Sequence, residues 1–156
     1  MTHGTPRPHL VLCTCLAVSM ASIAACGGGE KSDSGIAWLE SVDSGLAVSS
    51  RTGRPVMIDF TASWCPPCRA MEDSTFSDPA VIERSRSFVP VRIDVDEQRE
   101  TAEEYGGNAR KYGGTGIPNI LFLSGSGRRL EHVVGFHGPD SLAAVMDSVL
   151  SIEDPR

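Results

Sequence analysis

The stretch Pro55–Cys68, PVMIDFTASWCPPC, limits the possible folds more than any other. From Pro55 to Thr61 it is a short apolar run rich in strand formers, the pattern of a central strand covered on both faces. Two cysteines three residues apart follow at once, and Arg69–Phe76 (RAMEDSTF) continues with helical spacing. A buried strand that runs into a helix needs packed layers on either side of a sheet, so the chain is read as α/β.

The flanking segments agree. Residues 36–51 read as a helix, with Trp38, Leu39, Val42 and Leu46 forming one apolar face and Gly53 and Pro55 ending it. Ser77–Phe88 reads as a further helix, with Ser77 or Asp78 as N-cap and Pro79 in the first turn. Val89–Asp96 alternates like a strand, and residues 98–112 are partly helical and broken at Gly106–Gly107. Gly116–Leu123 is a strand entered through a proline. A turn at 125–127 and the run RRLEHVVGF make it a hairpin, and Pro139–Ile152 is an amphipathic terminal helix. The expected architecture is a central mixed sheet flanked by helices, within one domain over residues 36–156.

The first 35 residues have another character. Arg7 and the amino terminus give a positive start, and Leu10–Ala25 is apolar without charge. That run is shorter than the about 20 residues of a membrane span and has the layout of a secretory signal. It ends in IAAC, Ile23–Cys26, which resembles the lipobox of bacterial lipoproteins and marks residues 1–25 as a signal peptide and Cys26 as the acylated residue. Residues 26–35 would then form a tether; the nine from Gly27 to Gly35 have a root-mean-square reach of roughly 15–18 Å. The expected location is extracytoplasmic, on a lipid anchor in the inner or outer membrane. Five cysteines are present. With Cys13 and Cys15 in the signal and Cys26 lipidated, Cys65 and Cys68 are left for chemistry, in a compartment that permits disulfides.

A net charge of -6, with every acid beyond residue 29, excludes a nucleic-acid-binding face, which needs clustered Lys and Arg. For the cysteine pair four readings stand. A metal site would add His132 and His137, but these lie much farther along the chain than the about 12–15 residues of a zinc finger. A structural disulfide at this spacing closes almost no loop and contributes little chain-entropy stabilisation. A tethered binding module without turnover is the third reading. A redox dithiol is the fourth. It needs one exposed cysteine with a lowered pKa at a helix N-terminus, where the helix dipole and free N–H groups favour thiolate, and a second cysteine one turn on to resolve the mixed disulfide. Cys65 would attack and Cys68 would resolve. Pro66 and Pro67 lack N–H groups, so only amides from Cys68 onward remain as donors, with Arg69 as a nearby cation. The Cys65 pKa should be only moderately lowered, which suits a reductant.

MIDFTASWCPPC and GTGIPNILFL resemble the thioredoxin family over roughly residues 36–152, whose signature is W-C-x-x-C after a strand and a cis-proline loop about fifty residues on. RPVMIDFTASWC, TFSDPAV and GIPNILFL bring the closer likeness, to the C-terminal thioredoxin-like domain of the transmembrane reductase DsbD. The resemblance implies a thioredoxin fold and a thiol–disulfide oxidoreductase, more a reductase than an oxidase or isomerase. Cys65 and Cys68 would be its redox-active pair. It implies that Pro118 is the cis-proline, that Ile117 offers backbone hydrogen bonds to a substrate chain and that Trp64 is a surface wall beside the site. It also implies that Asp59 is the buried acid that takes the Cys68 proton, with Arg92 as a charge near it. Disulfides of exported proteins would be the substrates, and a membrane protein of the DsbD or CcdA type the electron donor. No metal or cofactor is expected. No dimerisation heptad is evident, so a monomer is expected.

Overall fold

A computed structural model gives the fold; it describes Met1 and residues 35–153. The expected signal peptide, Cys26 and the tether up to residue 34 lie outside the described residues. The elements are α1 (Val42–Thr52), β1 (Val56–Thr61), α2 (Pro66–Ser74), α3 (Pro79–Ser85), β2 (Val89–Asp94), α4 (Arg99–Glu104), a 3-10 turn (Arg110–Tyr112), β3 (Asn119–Leu123), β4 (Arg129–Val134) and α5 (Pro139–Glu153).

The strands form one mixed sheet in the order β2-β1-β3-β4. β1 runs parallel to β2 and antiparallel to β3, and β3 pairs antiparallel with β4. This is the thioredoxin fold. The nearly continuous apolar runs of β1 and β3, interrupted by Asp59 in β1 and opened by Asn119 in β3, follow from helices on both faces. On one face Val56, Ile58 and Phe60 pack with Val91, Ile93 and Leu121. On the other Met57 packs with Ile120, Phe122, Met71 of α2 and Leu142 and Met146 of α5.

One segment departs from the expected helix over 36–51. Helix α1 begins only at Val42, capped by Ser41, whose side chain accepts from the Ser44 N–H. Ahead of it Leu39 makes a parallel bridge to Val91, with its N–H donating to Pro90 O at 2.9 Å and its carbonyl accepting from the Arg92 N–H at 2.8 Å. The open edge of β2 offers unpaired backbone groups, and satisfying them outweighs one more helical turn. Helix α1 then lies close on the sheet. A Cβ on Gly45 would fall 2.5 Å from Val91 Cγ2, so only glycine fits there.

Candidate active site

Strand β1 ends at Thr61, and a short turn carries the chain to Cys65, the N-cap of α2. Pro66 and Pro67 fill the first helical positions, where a missing N–H costs nothing. The first N–H the helix offers is that of Cys68, and it points at Cys65 Sγ at 3.3 Å. The two sulfurs are joined in a disulfide, with Cα atoms 5.3 Å apart.

The disulfide is buried. Cys65 is 2% exposed and Cys68 6%, both within the core cluster of Phe60, Ala62 and Val95. The expectation of an exposed attacking sulfur concerns the reduced pair; in the disulfide form Cys65 Sγ is bonded to its partner and enclosed. Trp64 stands beside it at 45% exposure. Its indole N–H donates to Asp96, which also accepts from the Tyr112 hydroxyl. Lys111 Nζ lies 3.1 Å from Asp96 Oδ1 and 4.1 Å from the centre of the Trp64 ring. With three donors on it, Tyr112 the strongest, the Asp96 carboxyl is held down to about 2.

The Ile117–Pro118 bond is cis. Ile117 packs against the cluster that holds both cysteines, and with Trp64 it lines a groove of about 250 Å³. The loop is held from below by Asn119, which is fully buried and donates to Gly116 O at 2.6 Å and to Gly107 O at 3.0 Å. Its Oδ1 lies 3.0 Å from His132 Nε2 on β4.

Asp59 is 2% exposed and shares its face of β1 with Met57, the face that α2 covers through Met71. Burial pushes its carboxyl up, against the pull of Arg92; Glu72 adds to the rise. Arg92 Nε lies 2.9 Å from Asp59 Oδ2 and Arg92 Nη2 lies 2.5 Å from Glu72 Oε2. Among the described residues Arg92 is the hydrogen-bond partner of Asp59. The guanidinium is stacked between Trp38, at 4.3 Å, and Phe76, at 5.3 Å.

The histidines weighed as metal ligands have other partners. His132 holds Asn119, and His137 Nδ1 lies 3.0 Å from Ser141 Oγ. Both are half-buried rather than on the open surface. Sequence reasoning overlooked Glu72, Asp96 and Asn119. Glu72 had a signal, since it stands one helical turn past Cys68. Asn119 had a weaker one, as a polar residue opening an apolar strand. Asp96 had none, because only the fold brings its loop to Trp64.

A cysteine pair bonded across the first turn of a helix, at the end of a buried strand and beside a cis-proline groove, defines a thiol–disulfide oxidoreductase. A family model described as a thioredoxin-like domain matches residues 42–150, and the chain belongs to that family. It is 36% identical over 101 residues to a rice (Oryza sativa subsp. indica) protein named Thioredoxin H-type, a match over 63% of this chain and 71% of that one. It is 30% identical over 89 residues to the thiol:disulfide interchange protein DsbD of Campylobacter jejuni, over 57% of this chain but only 15% of that relative. The reduced DsbD C-terminal domain of Neisseria meningitidis shares the fold, with a TM-score of 0.55 and 24% identity over 68% of this chain and 91% of that domain. The likeness to DsbD read from the sequence therefore holds, and the chain covers a small part of the full-length relative.

Proposed function

We propose that this chain is a membrane-tethered, extracytoplasmic disulfide reductase acting on exported proteins. The observation that carries the reading is the Cys65–Cys68 pair at the N-cap of α2 with a buried carboxyl, Asp59, on the strand beneath that helix. The likeness to DsbD, a thiol:disulfide interchange protein, supports the redox role. The apolar run ending at Cys26 supports the lipid anchor. Among the described residues no helix is long and apolar enough to cross a membrane.

In the reduced enzyme the Cys65 thiolate attacks one sulfur of a substrate disulfide. A Cys65–substrate bond forms and the second substrate sulfur leaves as thiolate. Cys68 then gives its proton to Asp59, directly or through one water, and attacks Cys65 Sγ. The Cys65–Cys68 bond forms and the first substrate sulfur departs. Two electrons have passed to the substrate, and a membrane dithiol donor of the DsbD or CcdA type must return them. Trp64 and Ile117 flank the bound substrate chain, and Pro118 shapes the loop that meets it.

The deciding measurement is the equilibrium reduction potential of the chain against a glutathione or dithiothreitol buffer. A value near about -270 mV supports a reductase, and one near about -120 mV moves the reading to disulfide formation. Cys65→Ser should abolish turnover. Cys68→Ser should trap mixed disulfides at Cys65 in cells, and their absence while the wild type still acts on its pathway would sink the two-step mechanism.

A further inference from the structure

The groove beside the disulfide is lined by Trp64, Ala109, Arg110, Lys111, Gly116 and Ile117, with room for a side chain and its backbone. Two of the six are cations and none is an acid, on a chain whose net charge is -6. The two cations differ. Lys111 is already matched by Asp96 at 3.1 Å. Arg110 is exposed, and no hydrogen bond or ion pair engages its guanidinium among the described residues. Its stem lies along the loop that leads into the cis-proline: a Cβ on Gly116 would meet Arg110 Cγ and Nε at 3.1 Å.

A guanidinium on the groove wall, not neutralised among the described residues, is matched to a carboxylate, which it can hold through two parallel N–H donors. Resting on the reductase reading above, we infer that Arg110 is a specificity-determining residue and that the preferred substrates carry Asp or Glu beside the reacting cysteine. The charge of the whole protein works the other way. A field of net -6 steers basic chains toward the molecule, so a preference for acidic ones must come from the groove itself.

The test uses disulfide-linked peptides of one length and sequence, differing only in whether Asp, Ser or Lys flanks the cysteine. Their reduction by the full chain is followed at 0.15 M salt, where screening beyond about 8 Å leaves the local contact in control. The Asp peptide should react about threefold to tenfold faster than the Lys peptide, an effect of the size that exposed charge pairs produce. Arg110→Glu should bring that ratio below one, and Arg110→Lys should keep it above one. Because the ratio is taken within each variant, a general loss of activity does not disturb it. The same three peptides with Ser for Cys are titrated against the oxidised chain, with Trp64 fluorescence reporting binding. If no peptide is reduced, the reductase reading fails, while the binding ratio still tests Arg110. Equal behaviour of Asp and Lys peptides in the wild type, or a preference unchanged in Arg110→Glu, overturns the inference.

Discussion

Arg92 reaches Asp59 from the neighbouring strand, with Nε 2.9 Å from Oδ2, and both side chains leave the sheet on the face that α2 covers. The register Asp59↔Arg92 places them side by side, and the second arm of the guanidinium runs on to Glu72 of α2. One cation thus serves two carboxylates, and Glu72 Oε1 is left buried without a hydrogen-bond partner among the described residues. Arginine keeps its charge at every working pH, so it fixes the field around Asp59 without exchanging protons itself.

Arg92→Met should leave Asp59 as a buried carboxyl without a cation. Breaking such a pair costs about 3–5 kcal/mol when fully enclosed. The Arg92 side chain is 19% exposed, so a loss of about 2–4 kcal/mol at pH 7 is expected. The lost cation lifts the Asp59 carboxyl further, and the deficit should shrink as acid protonates it. Urea unfolding at pH 7 and pH 4 measures both. An equal deficit at the two values would mean that Arg92 acts through its packing on Trp38 and Phe76 alone.

Asp59→Asn separates the charge from the shape. The folded-state carboxyl sits above its ordinary value of 3.8, chiefly through burial. Between 3.8 and the raised value the folded chain holds a proton that the unfolded chain has lost, so wild-type stability falls as pH rises through that window. The variant has no such slope, and its stability relative to wild type should climb with pH and then level off. If Asp59 takes the Cys68 proton, disulfide reduction at pH 7 should also slow about 10²-fold. A rate within twofold of wild type would remove Asp59 from the proton path.

The strands and the dithiol helix were legible because each carries its own local signal. β1 and β3 are mostly apolar runs, Asp78–Pro79 caps and opens α3 as its residue types require, and Cys-x-x-Cys after a strand is specific. What stayed hidden depends on partners distant in sequence. Nothing local tells that Trp38 and Leu39 leave the helix, because the cause is the open edge of β2 more than fifty residues on. The cluster of Trp64, Asp96, Lys111 and Tyr112 joins three loops, and no periodicity reports which loops meet.

Gly107 shows such a hidden constraint at the break after α4. A Cβ there would fall 2.2 Å from the Phe60 ring. Gly107 also carries the carbonyl that Asn119 holds beneath the cis-proline loop. Gly107→Ala should therefore cost about 1–3 kcal/mol, the usual range for overpacking, and should raise KM for peptide disulfides as the loop shifts. Phe60→Leu in the same chain should recover part of both losses. Purely additive losses in the double variant would show that the ring is not what Gly107 accommodates.

Asp96→Asn connects the Trp64 cluster to the groove. The wild-type carboxyl is held down to about 2 by Tyr112, Trp64 and Lys111, so it is charged at all but the most acidic pH. Its folded value lies below the ordinary 3.8, so its contribution is present above 3.8 and is lost as pH falls through about 2. Trp64 emission should change in that range, with far-ultraviolet circular dichroism reporting whether the fold persists, and the variant should lack the change. At pH 7 the variant leaves Lys111 without its anion, beside Arg110 in the groove lining. The preference for Asp-flanked over Lys-flanked peptides should then widen by about twofold or more. An unchanged ratio would mean that Lys111 stays on the Trp64 and Tyr112 rings and takes no part in reading the substrate.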